Sequence, residues 1–102
     1  MLNKSLIIHK RYPNHVPVIL ESKSNEIILT KKKYLVPSEY TVGMFMNQLR
    51  EKIKIKPSIA IFIFINNQLP TMTNTFGELN INYKDSETNM LHAYITQEHT
   101  FG

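Results

Sequence analysis

Ile59-Ala60-Ile61-Phe62-Ile63-Phe64-Ile65 is the stretch that decides the fold, because all seven of its residues are apolar. Such a run is typical of a strand that is covered on both faces, so it predicts a strand in the middle of a sheet. The run is too short to cross a bilayer as a helix, which takes about 20 residues. The chain has 102 residues, the length of one compact domain, and we expect residues 1–102 to form a single domain around this strand.

Other strands are predicted on both sides of this run. Alternating or β-branched residues favour strands at 16–21, at 33–36 within the segment 27–36, and at 90–96. Gln68-Leu69 is interpreted as a further, brief strand after the turn formed by Asn66-Asn67.

Two helices are predicted between the strands. Thr41 is placed to cap the longer one, in which apolar residues recur at three- and four-residue spacing: Val42, Phe45, Met46, Leu49 and Ile53. Thr75 is placed to cap a shorter helix that continues through Phe76, Leu79 and Tyr83. The order of elements indicates an α+β fold in which one main helix packs across a mixed sheet, with the β-grasp as its leading example.

Both termini are expected to lie outside the core. Pro13 and Pro17 disfavour helix in the residues before them, so any N-terminal helix should end near Lys10 or Arg11. We therefore expect a short extension at residues 1–11 and a flexible C-terminal tail at residues 97–102.

Composition excludes several kinds of chemistry. The chain contains no cysteine, which excludes a disulfide framework, a thiol nucleophile and zinc sites with thiolate ligands. The four histidines lack metal-ligand spacing, and no hydrolase, metalloprotease or phosphate-loop motif is present. We predict no catalysis, no cofactor and no metal, and a cytoplasmic location, since no secretory signal is recognisable.

Positive charge is concentrated in the first half of the chain. Residues 1–56 carry eleven Lys and Arg against four Glu, whereas residues 57–102 carry one Lys against four acids. This asymmetry indicates a basic face for acidic peptides, phospholipid headgroups or nucleic acid, although an ordinary solvated surface explains it equally well. The chain lacks nucleic-acid recognition motifs, and a lysine run alone is non-specific, so we predict no nucleic-acid partner.

Lys31-Lys32-Lys33-Tyr34-Leu35-Val36-Pro37 allows two interpretations. A strand with alternating apolar residues and flanking cations can accept a partner strand through backbone hydrogen bonds. Alternatively, the lysines protect an edge strand against aggregation. The final residue, Gly102, is uninformative alone, because glycine occupies about 7% of positions on average.

Five blocks in the same order together resemble a known family. They are residues 11–19, 31–37, 41–43, 60–66 and 99–102. These blocks are similar to the ubiquitin-like autophagy modifiers of the GABARAP and microtubule-associated light-chain type, and the similarity runs from about Ile8 to Gly102. The resemblance implies a β-grasp fold with a shortened N-terminal helical extension.

The resemblance also implies a lipid conjugate. An activating enzyme and a conjugating enzyme would join Gly102 to phosphatidylethanolamine on the autophagosomal membrane, or on a plastid membrane, and a deconjugating protease would release it. A carboxylate is a poor acyl donor until it is adenylated, and a glycine without a side chain fits narrow enzyme clefts.

Members of this family bind adaptor peptides in which two residues separate an aromatic from an aliphatic residue. By position, one pocket is expected to use Ile8, Pro17, Lys33, Leu35 and Met90. The other is expected to use Tyr34, Val36, Pro37, Tyr40, Phe45 and Leu49. Lys31, His15 and Lys52 would receive the acidic groups of the peptide. For Leu35, Val36, Phe45 and Met90, the alternative is a purely structural place in the core.

The chain departs from the family in ways that affect this expectation. Gln48 stands where the second pocket usually has a large apolar residue, and Met90 replaces an aromatic residue of the first. Two other functions remain open: a sibling modifier that forms an isopeptide with a protein target, and a purely noncovalent basic peptide-binding module.

Overall fold

The computed structural model describes residues 13–53, 55–56 and 58–97. Six elements follow one another along this part of the chain: β1 (His15–Ser22), β2 (Lys33–Pro37), α1 (Val42–Ile53), β3 (Ile61–Ile65), α2 (Phe76–Tyr83) and β4 (Leu91–Gln97). The predicted extension at residues 1–11 and residues 98–102 of the predicted tail lie outside the described residues.

The four strands form one mixed sheet in the order β2-β1-β4-β3. Strand β1 runs antiparallel to β2, with Val16 opposite Val36, and parallel to β4, with Val18 opposite Leu91. Strand β3 runs antiparallel to β4. The α+β prediction of a mixed sheet with a helix packed against it is confirmed.

The prediction that the run at residues 59–65 lies in the middle of the sheet is wrong, because β3 is an edge strand. Only Ile63 and Ile65 are buried, while Phe62 and Phe64 are half-buried. The ring of Phe64 stacks on Tyr94 of β4, with centroids 5.0 Å apart and an interplanar angle of 13°. The apolar residues of the second face are therefore partly covered by neighbouring side chains on the sheet.

Helix α1 supplies one wall of the core, as its apolar spacing predicts. Val42, Phe45, Met46 and Leu49 are buried. The ring of Phe45 makes edge contacts with Phe76, at 5.2 Å between centroids. The predicted cap is confirmed, since Thr41 Oγ1 accepts a hydrogen bond of 3.2 Å from the Met44 amide.

Helix α2 begins as predicted and lies close to the segment that follows β2. Thr75 caps it by accepting a hydrogen bond from the Glu78 amide. The Gly77 amide donates a 2.9 Å hydrogen bond to the carbonyl of Ser38. A Cβ atom at Gly77 would lie 3.1 Å from that carbonyl oxygen, so a residue without a side chain permits this approach.

The brief strand predicted at Gln68-Leu69 is a single bridge between Ile65 and Gln68. Asn66 and Asn67 adopt positive φ angles of 52° and 62°, which suit a two-residue hairpin turn of the primed type. Gln68 is the only described residue that pairs with β3 on its free side, so β3 lies at the edge of the sheet.

Phe76 and Ile81, both on α2, test the assignment of the core. Phe76 is fully buried, at 0% exposure, whereas Ile81 is 84% exposed. We expect Phe76→Ala to lower the free energy of unfolding by about 3–5 kcal/mol, through lost burial and the cavity left behind. Ile81→Ala should change it by less than about 0.5 kcal/mol. Urea denaturation measures both variants, and equal losses would contradict the assigned core face.

Candidate functional site

Strand β2 forms the edge of the sheet opposite β3 and presents its side chains to both faces. Tyr34 and Val36 are buried, while Lys33 and Leu35 alternate with them and are exposed. This period of two follows from the pleat of a strand. Two pockets flank β2 as a result, one on each face.

The first pocket lies on the outer face of the sheet and has a volume of about 140 Å³. Its lining consists of Pro17, Val18, Lys33, Tyr34, Leu35 and Met90. Pro17 and Leu35 are neighbours because they stand opposite each other in the β1–β2 register. The structure thus brings together four of the five residues predicted here, and the fifth, Ile8, lies outside the described residues.

The second pocket lies between β2 and α1 and has a volume of about 90 Å³. Its lining contains every residue predicted for it, two of the three predicted cations, and two further residues: Lys31, Tyr34, Leu35, Val36, Pro37, Tyr40, Phe45, Gln48, Leu49 and Lys52. Helix α1 contributes Phe45, Gln48, Leu49 and Lys52 to this lining, because residues three and four apart lie on the same face of a helix.

A polar contact closes part of the second pocket. The side-chain amide of Gln48 donates a 3.1 Å hydrogen bond to the phenol oxygen of Tyr40. The pocket therefore has an apolar floor formed by Phe45 and Leu49 and a wall with hydrogen-bonding capacity. A ligand that enters deeply has to keep this bond or replace it.

The structure also shows which residues serve the core. Val36, Phe45 and Met90 are buried, at 3%, 5% and 6% exposure, whereas Leu35 is exposed. Val36, Phe45 and Met90 are therefore buried side chains that also line a pocket. His15 stands opposite Pro37 at the end of the β1–β2 ladder and is absent from both linings, so its contact with acidic groups stays a prediction.

Comparison with known proteins identifies the family of this chain. A family model described as "Autophagy protein Atg8 ubiquitin like" matches residues 2–102. The chain belongs to the Atg8 family. The predicted resemblance to ubiquitin-like autophagy modifiers is thereby confirmed.

Individual members of the Atg8 family show the extent of the similarity. Autophagy-related protein 8 of Schizosaccharomyces pombe is 42% identical over 97 residues, which cover 93% of this chain and 79% of the relative. Autophagy-related protein 8D of Oryza sativa is 40% identical over 93 residues, which cover 89% and 79%. The crystal structure of Trypanosoma brucei ATG8 superimposes with a TM-score of 0.85 at 29% identity, covering 97% of this chain and 86% of that one.

Positive charge surrounds the two pockets of this Atg8-family chain. Lys33 lines the first pocket, Lys31 and Lys52 line the second, and neither lining contains an acidic residue. The ammonium of Lys31 lies 4.6 Å from the centroid of the Tyr34 ring, a distance that allows a cation–π interaction. An apolar ligand that carries acidic groups matches this distribution.

Within residues 13–53, 55–56 and 58–97, no group of three or more His, Asp or Glu side chains is arranged to hold a metal ion. No helix in those ranges has the length and apolar character needed to cross a membrane.

The phenol of Tyr34 gives a test of the pocket wall. Burial raises the pKa of Tyr34 above the ordinary value of 10.0, since desolvation disfavours the phenolate. The stability tied to this group is fully present below about pH 10 and is lost as the pH rises through the folded pKa. We expect the Tyr34→Phe protein not to lose this part of its stability at alkaline pH. Urea denaturation of both proteins from neutral pH to above pH 10 measures the difference, and parallel pH profiles would refute it.

Proposed function

We propose that this chain is a ubiquitin-like modifier that is joined through Gly102 to phosphatidylethanolamine and docks adaptor peptides beside β2. The observation that carries the docking part is the combination of an edge strand, a pocket on each of its faces and a cationic rim. The chain acts as the substrate of the conjugating machinery, and the whole of residues 1–102 serves as one ubiquitin-like domain.

The edge of β2 suits an extended peptide. An edge strand has backbone groups on its free side, and a peptide that pairs with them becomes a fifth strand of the sheet. Side chains of an extended peptide project alternately to the two faces, so two of them reach the two pockets. Lys33 to Pro37 form the strand itself, which makes it both the backbone template and part of each pocket wall.

The shapes and charges of the pockets indicate what such a peptide contains. Both pockets have volumes of the order of one large side chain, and their apolar walls favour an aromatic and an aliphatic residue. Lys31, Lys33 and Lys52 supply the charge that favours acidic residues nearby. His15 and Ile8 are proposed to extend the same surface.

Conjugation is supported by the family match, which runs to residue 102. In the proposed sequence, a carboxylate oxygen of Gly102 attacks the α-phosphorus of ATP and pyrophosphate leaves. A cysteine thiolate of the activating enzyme displaces AMP, and transfer to a cysteine of the conjugating enzyme conserves the thioester. The lipid amine then displaces that thiolate to form an amide. A deconjugating protease hydrolyses this amide, so the chain cycles between a free form and the autophagosomal membrane.

We expect Gly102→Ala to reduce lipid conjugation at least tenfold while leaving the free energy of unfolding unchanged. An added methyl group obstructs narrow clefts around the acyl carbon. The assay contains the activating and conjugating enzymes, ATP and liposomes with phosphatidylethanolamine, and a mobility shift reports the product. Thr100→Ala is the matched control and should react normally.

Two results of this assay would speak against the lipid conjugate. Equal lipidation of the Gly102→Ala protein would refute the role of Gly102. An isopeptide with a protein lysine, formed in preference to the lipid amide, would support the sibling modifier instead.

The lysines beside β2 give the test of peptide docking. We expect Lys31→Glu with Lys33→Glu to weaken an acidic peptide of the aromatic-x-x-aliphatic type by about 1–3 kcal/mol, through lost ion pairs and new repulsion. Lys23→Glu with Lys84→Glu makes the same change in net charge outside both pockets and should have a much smaller effect.

Calorimetric titration at low and high salt measures these affinities. The wild-type affinity should fall as salt rises, because exposed ion pairs are screened. Unchanged affinity in the Lys31→Glu, Lys33→Glu protein would mean that the lysines only protect the edge. Tighter binding to duplex DNA than to the peptide would indicate a purely electrostatic binder.

A further inference from the structure

The second pocket, between β2 and α1, has polar groups on its wall as well as an apolar floor. Phe45 and Leu49, which form the floor, are buried. The polar groups are the hydroxyl of Tyr40 and the side-chain amide of Gln48, which a hydrogen bond of 3.1 Å joins. We call these two side chains the tyrosine–glutamine pair. A side chain that fills this pocket therefore meets hydrocarbon below it and hydrogen-bonding groups beside it.

The tyrosine–glutamine pair is attached to backbone that is held on both sides of the pocket. The Tyr40 amide donates a 3.0 Å hydrogen bond to the carbonyl of Pro37, at the end of β2. The Tyr40 carbonyl accepts a 2.9 Å hydrogen bond from the Phe76 amide, at the start of α2. Gln48 lies within α1 and directly precedes Leu49, whose side chain is buried. The pair is therefore a built part of the pocket wall.

Both members of the tyrosine–glutamine pair can donate a further hydrogen bond. The Tyr40 oxygen accepts the bond from Gln48, so the phenol proton can be donated to a ligand. The Gln48 amide nitrogen carries two N–H groups, and only one of them is used in this bond. The two donor atoms are 3.1 Å apart, a separation that suits the two oxygens of one carboxylate. A carboxylate could thus bind both donors without breaking the existing bond.

The charges around the second pocket favour an anionic group at this position. Lys52 follows Gln48 by one helical turn, so both lie on the same face of α1, and both line the pocket. Glu39 and Glu51, which are next in sequence to Tyr40 and Lys52, are exposed and do not belong to the lining. Among the described residues, the lining therefore combines hydrogen-bond donors with cations and contains no carboxylate.

We propose that the second pocket binds a glutamate side chain of the docked peptide, so that the peptide has the form aromatic-x-x-Glu. The two methylene groups of the glutamate pack on Phe45 and Leu49. Its carboxylate accepts hydrogen bonds from the Tyr40 hydroxyl and the Gln48 amide, within reach of the Lys52 ammonium. This proposal rests on the docking beside β2 and narrows it at one position, where the aliphatic stem is kept and a charged end is added.

A leucine in the same place would match the floor of the pocket but not its wall. Its methyl groups would displace water from the tyrosine–glutamine pair without offering an acceptor, and donors that lose water without gaining a partner are unfavourable. Glutamate supplies that partner, and hydrogen bonds to a charged group are stronger than those between neutral groups. Gln48 and Lys52 are exposed, so the bound carboxylate also keeps part of its hydration.

Calorimetric titration of the full chain with three peptides tests this preference. The peptides share one sequence of the aromatic-x-x-z type, in which z is Glu, Gln or Leu. We expect the Glu peptide to bind about tenfold more tightly than the Leu peptide, the effect of about one charge-assisted hydrogen bond. The Gln peptide should lie between them, because it offers an acceptor without the charge. Equal or tighter binding of the Leu peptide would overturn the proposal and leave the docking intact, whereas no binding of any peptide would overturn both.

Substitutions in the tyrosine–glutamine pair assign the preference to its members. Gln48→Leu should reverse the preference, because it replaces a donor by hydrocarbon. Tyr40→Phe removes only the hydroxyl and should weaken the Glu peptide by about fivefold, with little change for the Leu peptide. Asn47→Leu is the matched control, since Asn47 is exposed on α1 and absent from both linings, and it should keep the wild-type preference. Circular dichroism verifies that each variant is folded. A preference for Glu that survives Gln48→Leu would overturn the proposal.

Amide NMR of the full chain follows the contact at the Gln48 side chain itself. The side-chain N–H signals that disappear in the Gln48→Leu protein belong to this residue. They should move when the Glu peptide is added and move much less with the Leu peptide, because an ionised acceptor changes the surroundings of a donated proton. Equal movement with both peptides would overturn the hydrogen bond that the proposal assigns to Gln48.

Discussion

The parallel pairing of β1 with β4 is the constraint on which the other features of the structure depend. Val18 and Leu20 lie opposite Leu91 and Ala93, and these four side chains are buried in the core. Residues 23–90 separate the two strands, so β2, α1, β3 and α2 all lie within the connection between them. Because β1 and β4 occupy the centre, β2 and β3 are left at the two edges.

Local features of the fold were predictable from the sequence, and the position of β3 was not. Thr41 and Thr75 each cap a helix by accepting a hydrogen bond from the backbone amide three residues further along the chain. Each cap therefore depends only on neighbouring residues. A run that is apolar at every position indicates burial on both faces but does not tell what covers the second face. Here Tyr94 of the adjacent strand covers Phe64, so an edge strand has the composition of a central one.

The pockets beside β2 were predictable partly from the periodicity of the strand and partly from the resemblance to a family. The period of two at Lys33 to Pro37 indicates an edge strand that separates two faces, and it gives no information about which distant residues complete each pocket. Met90 and Phe45 could be assigned only through the resemblance of the whole chain to a family. The bond between Gln48 and Tyr40 could not be derived from either source, because it depends on how closely α1 approaches the residues after β2.

Helix α1 separates two cavities that lie on its side of the sheet. Leu49 and Lys52 line the pocket next to β2, whereas Ile53 lines a larger cavity together with Ile55, Ile59 and Glu26. Successive helical residues point about 100° apart, so Lys52 and Ile53 face different cavities although they are adjacent in sequence. Arg50 fixes the end of this helix to the next turn through backbone carbonyls, which limits movement of either wall. A ligand beside β2 would therefore contact one side of α1, and the cavity lined by Ile53 lies on a different side of the same helix.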